Sequence, residues 1–159
     1  MTASGRVRGG VWARGHGVTL SPFDGALSDG LAQALRDGVE RGYEGDLPAS
    51  PPGTVCMVVR VDGADVGLLA FEVDLPLEGA ATVHAIAIDP DQRGHAYGTH
   101  ALFAAERRLR RDGADAFFAR VPRTNGRGLY FMLRASYAPI TAPAALPDDD
   151  ATWFRRFED

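Results

Sequence analysis

Between Thr82 and Leu102 the chain reads TVHAIAIDPDQRGHAYGTHAL, an order of residue types that leaves few folds open. Val83, Ala85, Ile86, Ala87 and Ile88 form a near-continuous apolar run, too short for an ordinary helix and halted by Pro90, which predicts a strand buried on both faces. Asp89-Pro90 forces a turn. From Arg93 onward the loop offers Gly94 and Gly98, where backbone approaches a ligand with no Cβ in the way. The helix that follows directs its unpaired N–H groups into the same space. Phosphate is the expected guest of such a strand-loop-helix unit.

The remaining chain supplies the partners that this strand needs. Val18-Thr19-Leu20 reads as a first strand, and Ser21 to Arg41 carries Leu27, Leu31, Ala34, Leu35 and Val39 at helical spacing, as one helix breaking into another. After a Pro/Gly-rich loop from Gly42 to Gly53, Val55–Val61 and Val66–Val73 flank Asp62-Gly63-Ala64-Asp65, a hairpin signal that antiparallel strands favour. Thr99–Asp112 reads as a helix whose last turns hold Arg107, Arg108, Arg110 and Arg111 before Gly113, matching the negative end of the helix dipole. Ala116–Val121 is a strand and Asn125–Ala135 a helix. Tyr137–Thr141 and Thr152–Phe157 form a terminal pair across the loop APAALPDDD. The predicted order, β-α-α-β-β-β-α-β-α-β-β, describes an α/β fold in one domain, residues 17–159. Residues 1–16, Gly/Arg-rich, read as a flexible extension with Trp12 its one large apolar group.

Composition narrows the partners. A formal net charge of −4 argues against nucleic acid, whose phosphates need a basic face. No long apolar stretch suggests a membrane span and the first residues do not resemble a secretory signal, so a cytoplasmic location is expected. Cys56, the only cysteine, sits among Val55, Met57 and Val58 and reads as an inert buried thiol. His16, His84, His95 and His100 are scattered without a partner pattern, so no metal is expected. The chain has no lysine, so it carries no side-chain amine.

Two segments carry a family resemblance. Arg93-Gly94-His95-Ala96-Tyr97-Gly98 after the V/I-rich strand resembles the pyrophosphate loop of the GNAT acyltransferase superfamily, whose pattern is Arg or Gln, two residues, Gly, one residue, Gly or Ala. Ala96 stands where the first Gly belongs. If that position is left-handed, its Cβ costs roughly 1–2 kcal/mol. Asn125, Gly128, Phe131, Met132, Ser136 and Tyr137 follow the spacing of a second family segment. The resemblance implies a GNAT-like fold, a mixed central sheet of about six or seven strands with flanking helices, and acetyl-CoA or another acyl-CoA as donor. It further implies cofactor contacts from Ile86, Ala87 and Ile88 through backbone groups, from the loop Arg93, Gly94, His95, Ala96, Tyr97, Gly98 and Thr99, and from Asn125, which also reads as a helix cap. Arg123 and Arg127 lie beside these segments. Met132 occupies a place where many family members carry a Tyr that protonates the departing thiolate, and Tyr130 lies about 200° around the helix from it.

The implied reaction is acetyl, or other short acyl, transfer to a primary amine of a small molecule or peptide by direct attack. His84 is the candidate base, placed by simple alternation on one strand face with Thr82 and Ile86, and Glu72 is the next candidate; each also reads as an ordinary strand residue. The family builds its acceptor pocket from segments that here contain Glu40, Tyr43, Glu44, Asp46 and Asp148 to Asp150, a set suited to a cationic amine or simply solvated. Ala96 and Met132 favour an alternative, a repurposed fold that binds acyl-CoA or another ligand without acylating amines. A third reading, altered acyl chemistry, has no residue that tests it. The late strands Tyr137–Thr141 and Thr152–Phe157 are candidates for a homodimer edge.

Overall fold

Period-two alternation of apolar residues across the middle of the chain gives one large sheet with helices against it. The computed structural model describes residues 10–23, 29, 32, 53–143 and 150–157. Its elements are β1 (Ala13–Arg14), β2 (Thr19–Pro22), β3 (Thr54–Val61), β4 (Ala64–Val73), β5 (Ala80–Ile88), α1 (Tyr97–Arg111), β6 (Ala116–Pro122), α2 (Gly126–Arg134), β7 (Tyr137–Ile140) and β8 (Ala151–Arg156). The eight strands lie in the order β1-β2-β3-β4-β5-β6-β8-β7. Among the described residues only β5 and β6 pair in parallel, with α1 as the crossover between them, and the other neighbouring pairs are antiparallel.

The turn between β3 and β4 is Asp62-Gly63, both with positive φ, 51° and 81°. That is the backbone a two-residue hairpin needs for its twist to match the strands, and the Asp-Gly pair provides it. One face of the sheet presents Leu20, Met57, Val59, Leu69, Phe71, Val83, Phe117, Ala119 and Phe154 to Ala101, Leu102 and Ala105 of α1 and Met132 of α2. Each large side chain buried there contributes about 1.5–3 kcal/mol. The opposite face carries two smaller clusters, Val58, Leu68 and Ala87, and Ala80, Phe118 and Trp153.

The strand count exceeds the expected six or seven because the segment read as an extension, residues 1–16, contributes β1. Trp12 explains its attachment: the indole stacks on Phe71 at 5.3 Å and Arg108 donates to its carbonyl oxygen. The helical reading of Ser21–Arg41 falls almost wholly outside the described residues, although Ser21 and Pro22 belong to β2 and not to a helix. The late strands also differ in standing. β8 lies between β6 and β7, so of these two strands β7 is the one at an edge of the sheet among the described residues.

Candidate active site

The site begins where β5 and β6 part. Their parallel bridges run from Ala80 opposite Ala116 to Val83 opposite Ala119 and stop there, although β5 continues to Ile88 along β4 and β6 continues to Pro122 along β8. Pro122, farther along β6, adds no bond across the gap. The Arg123 N–H bonds the Asp150 carbonyl beyond β8, so alternation turns the Pro122 nitrogen toward β5, where it has no hydrogen to give. The Pro122 carbonyl accepts from the Asn125 N–H instead. Pro122 was missed at the sequence level; the signal was a proline ending the apolar run Phe117 to Val121.

Alternation also decides which β5 amides face the gap. The Asp89 N–H bonds the Val66 carbonyl, so Asp89 and Ala87 direct their backbone groups toward β4. Ile86 and Ile88 turn theirs toward the parted β6. Of the three backbone contributors implied by the resemblance, Ile86 and Ile88 therefore face the gap. Ala87 does not, and its carbonyl oxygen lies so close to Gly67 that a Cβ there would approach within 2.6 Å.

A register shift on β5 sets the side chains. Phe71 pairs with Val83 but Ala70 pairs with Ala85, so His84 is the extra residue of a bulge. Thr82 pairs with Glu72 and Ile86 with Leu69, and positions 69 and 72 on β4 face opposite ways. The expectation that His84 shares a face with both Thr82 and Ile86 is thus corrected: the bulge reverses the alternation between them. Ile86 and Ile88 pass to the helical side. His84 stays with Thr82 and Glu72 on the other face, and its Nε2 lies 3.0 Å from Glu72 Oε1. The two candidate bases are one pair, with side chains 13% and 18% exposed. Arg120 of β6, opposite Trp153 of β8, lies on this same face, since Phe118 does and Ala119 does not.

Beyond β5 a single 3-10 turn, Pro90–Gln92, is capped by Asp89, which accepts from the Asp91 N–H. Gly94 has φ 93° and Ala96 has φ 62°, ψ 21°. Ala96 does occupy the left-handed conformation that its glycine-like position implied. It is the N-cap of α1 and provides no side-chain hydrogen bond to the first-turn amides of α1. Gly94, His95 and Ala96 are exposed, and the His95 ring stacks on Tyr97 at 5.2 Å. Gly98 also has a packing role. A Cβ on it would stand 3.3 Å from Phe131 and 3.6 Å from both Ile86 and Ile88, so its small size serves the packing of α1 on β5 and α2.

Asn125 caps α2, its Oδ1 accepting from the Gly128 N–H at 2.9 Å. Met132 is buried in the core beneath α2, while Tyr130 is 61% exposed with Arg134 over its ring. Neither places a phenol near the parted strands. Asp150 faces Arg123 at 3.5 Å on the surface; Glu40, Tyr43, Glu44, Asp46, Asp148 and Asp149 lie outside the described residues. Burial pushes the Cys56 thiol up to about 11, which keeps it from serving as a nucleophile. Among the described residues no group of three metal-ligating side chains occurs, and no helix is long and apolar enough to cross a membrane.

Comparison with known proteins matches this arrangement to one family. The model of the acetyltransferase (GNAT) family matches residues 26–134. The fold is similar to that of an acetyltransferase from Thermus thermophilus, with TM-score 0.63 and 19% identity over 89% of this chain and 97% of that one. It is similar to a GNAT-family acetyltransferase from Staphylococcus aureus, with TM-score 0.67 and 12% identity over 87% and 98% of the two chains. A third likeness is to the PaiA N-acetyltransferase of Thermoplasma acidophilum in complex with coenzyme A, with TM-score 0.61 and 13% identity over 89% and 99%. Among curated proteins none matches the chain in sequence.

Proposed function

The chain belongs to the GNAT acetyltransferase family, and on that premise we propose that it transfers an acetyl or other short acyl group from acyl-CoA to a primary amine of a small molecule or peptide. Acyl-CoA supplies a thioester whose carbonyl carbon is open to attack. The residues present fit it: the uncapped first turn of α1, with Arg93, Gly94, His95, Ala96, Tyr97, Gly98 and Thr99, suits a pyrophosphate, and Asn125 stands at the far side of the parted strands. The backbone N–H groups of Ile86 and Ile88 face the gap and would donate to the carbonyl oxygen as negative charge grows on it.

One observation carries the reading. The His84–Glu72 pair sits beside the end of the β5–β6 bridges, on the face opposite α1, so an acceptor can approach from one face and the thioester from the other. A protonated amine must lose a proton to attack, and a neutral imidazole at physiological pH takes it. His84→Gln is expected to lower turnover by about an order of magnitude or more and to flatten the dependence on pH; an unchanged profile removes His84 from the reaction.

The proposed setting is cytoplasmic, with a free amine as acceptor; a cationic one follows from the acidic segments at 40–46 and 148–150. The deciding experiment measures thiol release from acetyl-CoA against a panel of small amines and peptide N-termini, with calorimetric titration of acetyl-CoA alongside. Thiol release that depends on the amine supports transfer. Binding without release supports the second reading, a binder that does not transfer, which the burial of Met132 favours because methionine has no proton to give in place of the family's Tyr. That loss removes ~10²–10⁴-fold in rate at most, since a thiol with pKa near ~8.5 departs tolerably as its anion.

A further inference from the structure

His84 and Glu72 were separate candidates for one role, and the fold has joined them. Glu72 reaches His84 from β4, two residues from the bulge that leaves His84 without a bridging partner of its own on that strand. Gly53, at φ +98°, is a neighbour of this carboxylate: a Cβ on it would stand in ordinary contact, 3.7 Å from Glu72 Oε2.

The pairing fixes the chemistry of the ring. An ionised carboxylate only accepts hydrogen bonds, so the contact at 3.0 Å places the imidazole proton on Nε2. A neutral imidazole carries one proton, and its lone pair is then on Nδ1. Among the described residues the ring has no second hydrogen-bond partner, and with 13% of its side chain exposed it keeps access to solvent.

We propose that Glu72 is a positioning residue that holds His84 as the Nε2–H tautomer, and that Nδ1 of His84 is the atom that takes the acceptor's proton. The inference rests on the acyl-transfer reading above. One proton of the acceptor ammonium moves to Nδ1, and the freed electron pair of nitrogen forms a bond to the carbonyl carbon. The C–S bond breaks, the thiolate takes a second proton from the attacking nitrogen, and the imidazolium returns its proton to solvent. Glu72 stays ionised throughout and offsets the charge of the imidazolium. It does not itself touch the amine, so a carboxylate at 72 cannot replace an imidazole at 84.

The test reads the tautomer directly. Long-range proton–nitrogen spectra of the full chain labelled with nitrogen-15 in histidine, assigned with His84→Gln, are expected to show His84 protonated on Nε2 and bare on Nδ1. Glu72→Gln, whose amide oxygen still accepts, is expected to keep that tautomer, whereas Glu72→Ala mixes the two. In the amine assay Glu72→Ala is expected to lower kcat by about tenfold or more with KM for acetyl-CoA unchanged. A protonated Nδ1 in the wild-type chain overturns the proposal, as does an unaltered spectrum in Glu72→Ala. The spectra need no acceptor, so the two readings fail separately: the expected tautomer with no thiol release from any amine would refute proton transfer to Nδ1 together with acyl transfer, while thiol release with the wrong tautomer would refute this proposal alone.

Discussion

Ala96 carries the sharpest tension at a single residue. Its φ of 62° places a Cβ where glycine has none, at roughly 1–2 kcal/mol, and the same backbone leaves the first turn of α1 open. Ala96→Gly removes that strain but adds about 0.4–1 kcal/mol of unfolded-state entropy, so a net gain in stability of at most about 1.6 kcal/mol is expected in urea unfolding. Ala96→Val, β-branched at a left-handed position, is expected to lose stability, and equal midpoints for all three chains would show that the loop bears no strain. Gly98 stands two residues on and has the opposite constraint, with an ordinary backbone but no room. Gly98→Val is expected to cost about 1–3 kcal/mol because Phe131, Ile86 and Ile88 cannot all withdraw, and a thermal melt would read it. Ala96 was legible from the spacing of its loop. The neighbours of Gly98 were not, because Phe131 comes from an element more than thirty positions away.

At the scale of elements, α1, β7 and β8 are joined through a buried polar cluster. Tyr137 Oη donates to Glu106 Oε2 at 2.6 Å, and Arg156 lies 3.2 Å from Glu106 Oε1 while donating to the Ala135 carbonyl. Burial raises the Tyr137 phenol far above its ordinary range, with Glu106 adding to the effect, so it remains a donor. Tyr137→Phe leaves a buried carboxylate short of one partner and is expected to cost about 1–3 kcal/mol. Burial likewise raises the Glu106 carboxyl above its ordinary 4.5, against the lowering effects of Tyr137 and the nearby arginines. With a raised value the folded state holds the proton longer than the unfolded chain. The contribution is therefore full below the ordinary value and is lost as pH climbs through the raised one. Unfolding midpoints of the wild type relative to Glu106→Gln are expected to fall as pH rises through that window; a constant difference would refute the linkage. Met132, beneath α2, behaves as core, and Met132→Ala is expected to lose about 2–5 kcal/mol in denaturant titration.

Over the whole molecule, the ends of the sheet bear on assembly. β7 lies at an edge of the sheet among the described residues, but Pro139 within it has no N–H to offer and blunts edge-to-edge pairing. At the other end the β1–β2 hairpin is held by Trp12. Trp12→Ala is expected to destabilise by about 1–3 kcal/mol and to expose β2 to proteolysis first, since stacking on Phe71 and the cation above the ring are lost together. Much of this architecture could be read along the chain. The apolar run ended by Asp89-Pro90, the Asp62-Gly63 hairpin and the glycine-punctuated loop are local signals, because dihedral preference and side-chain period act between neighbours in sequence. They sufficed for the order of elements from β3 onward and for the family. The pairing of His84 with Glu72, the reversal at the bulge and the parting of β5 from β6 beyond Val83 and Ala119 lay beyond that reach. Each depends on the register between strands, and one extra residue in a ladder turns every later side chain to the other face. The residues of the site were present in the sequence, but which face they share was decided by how the strands align.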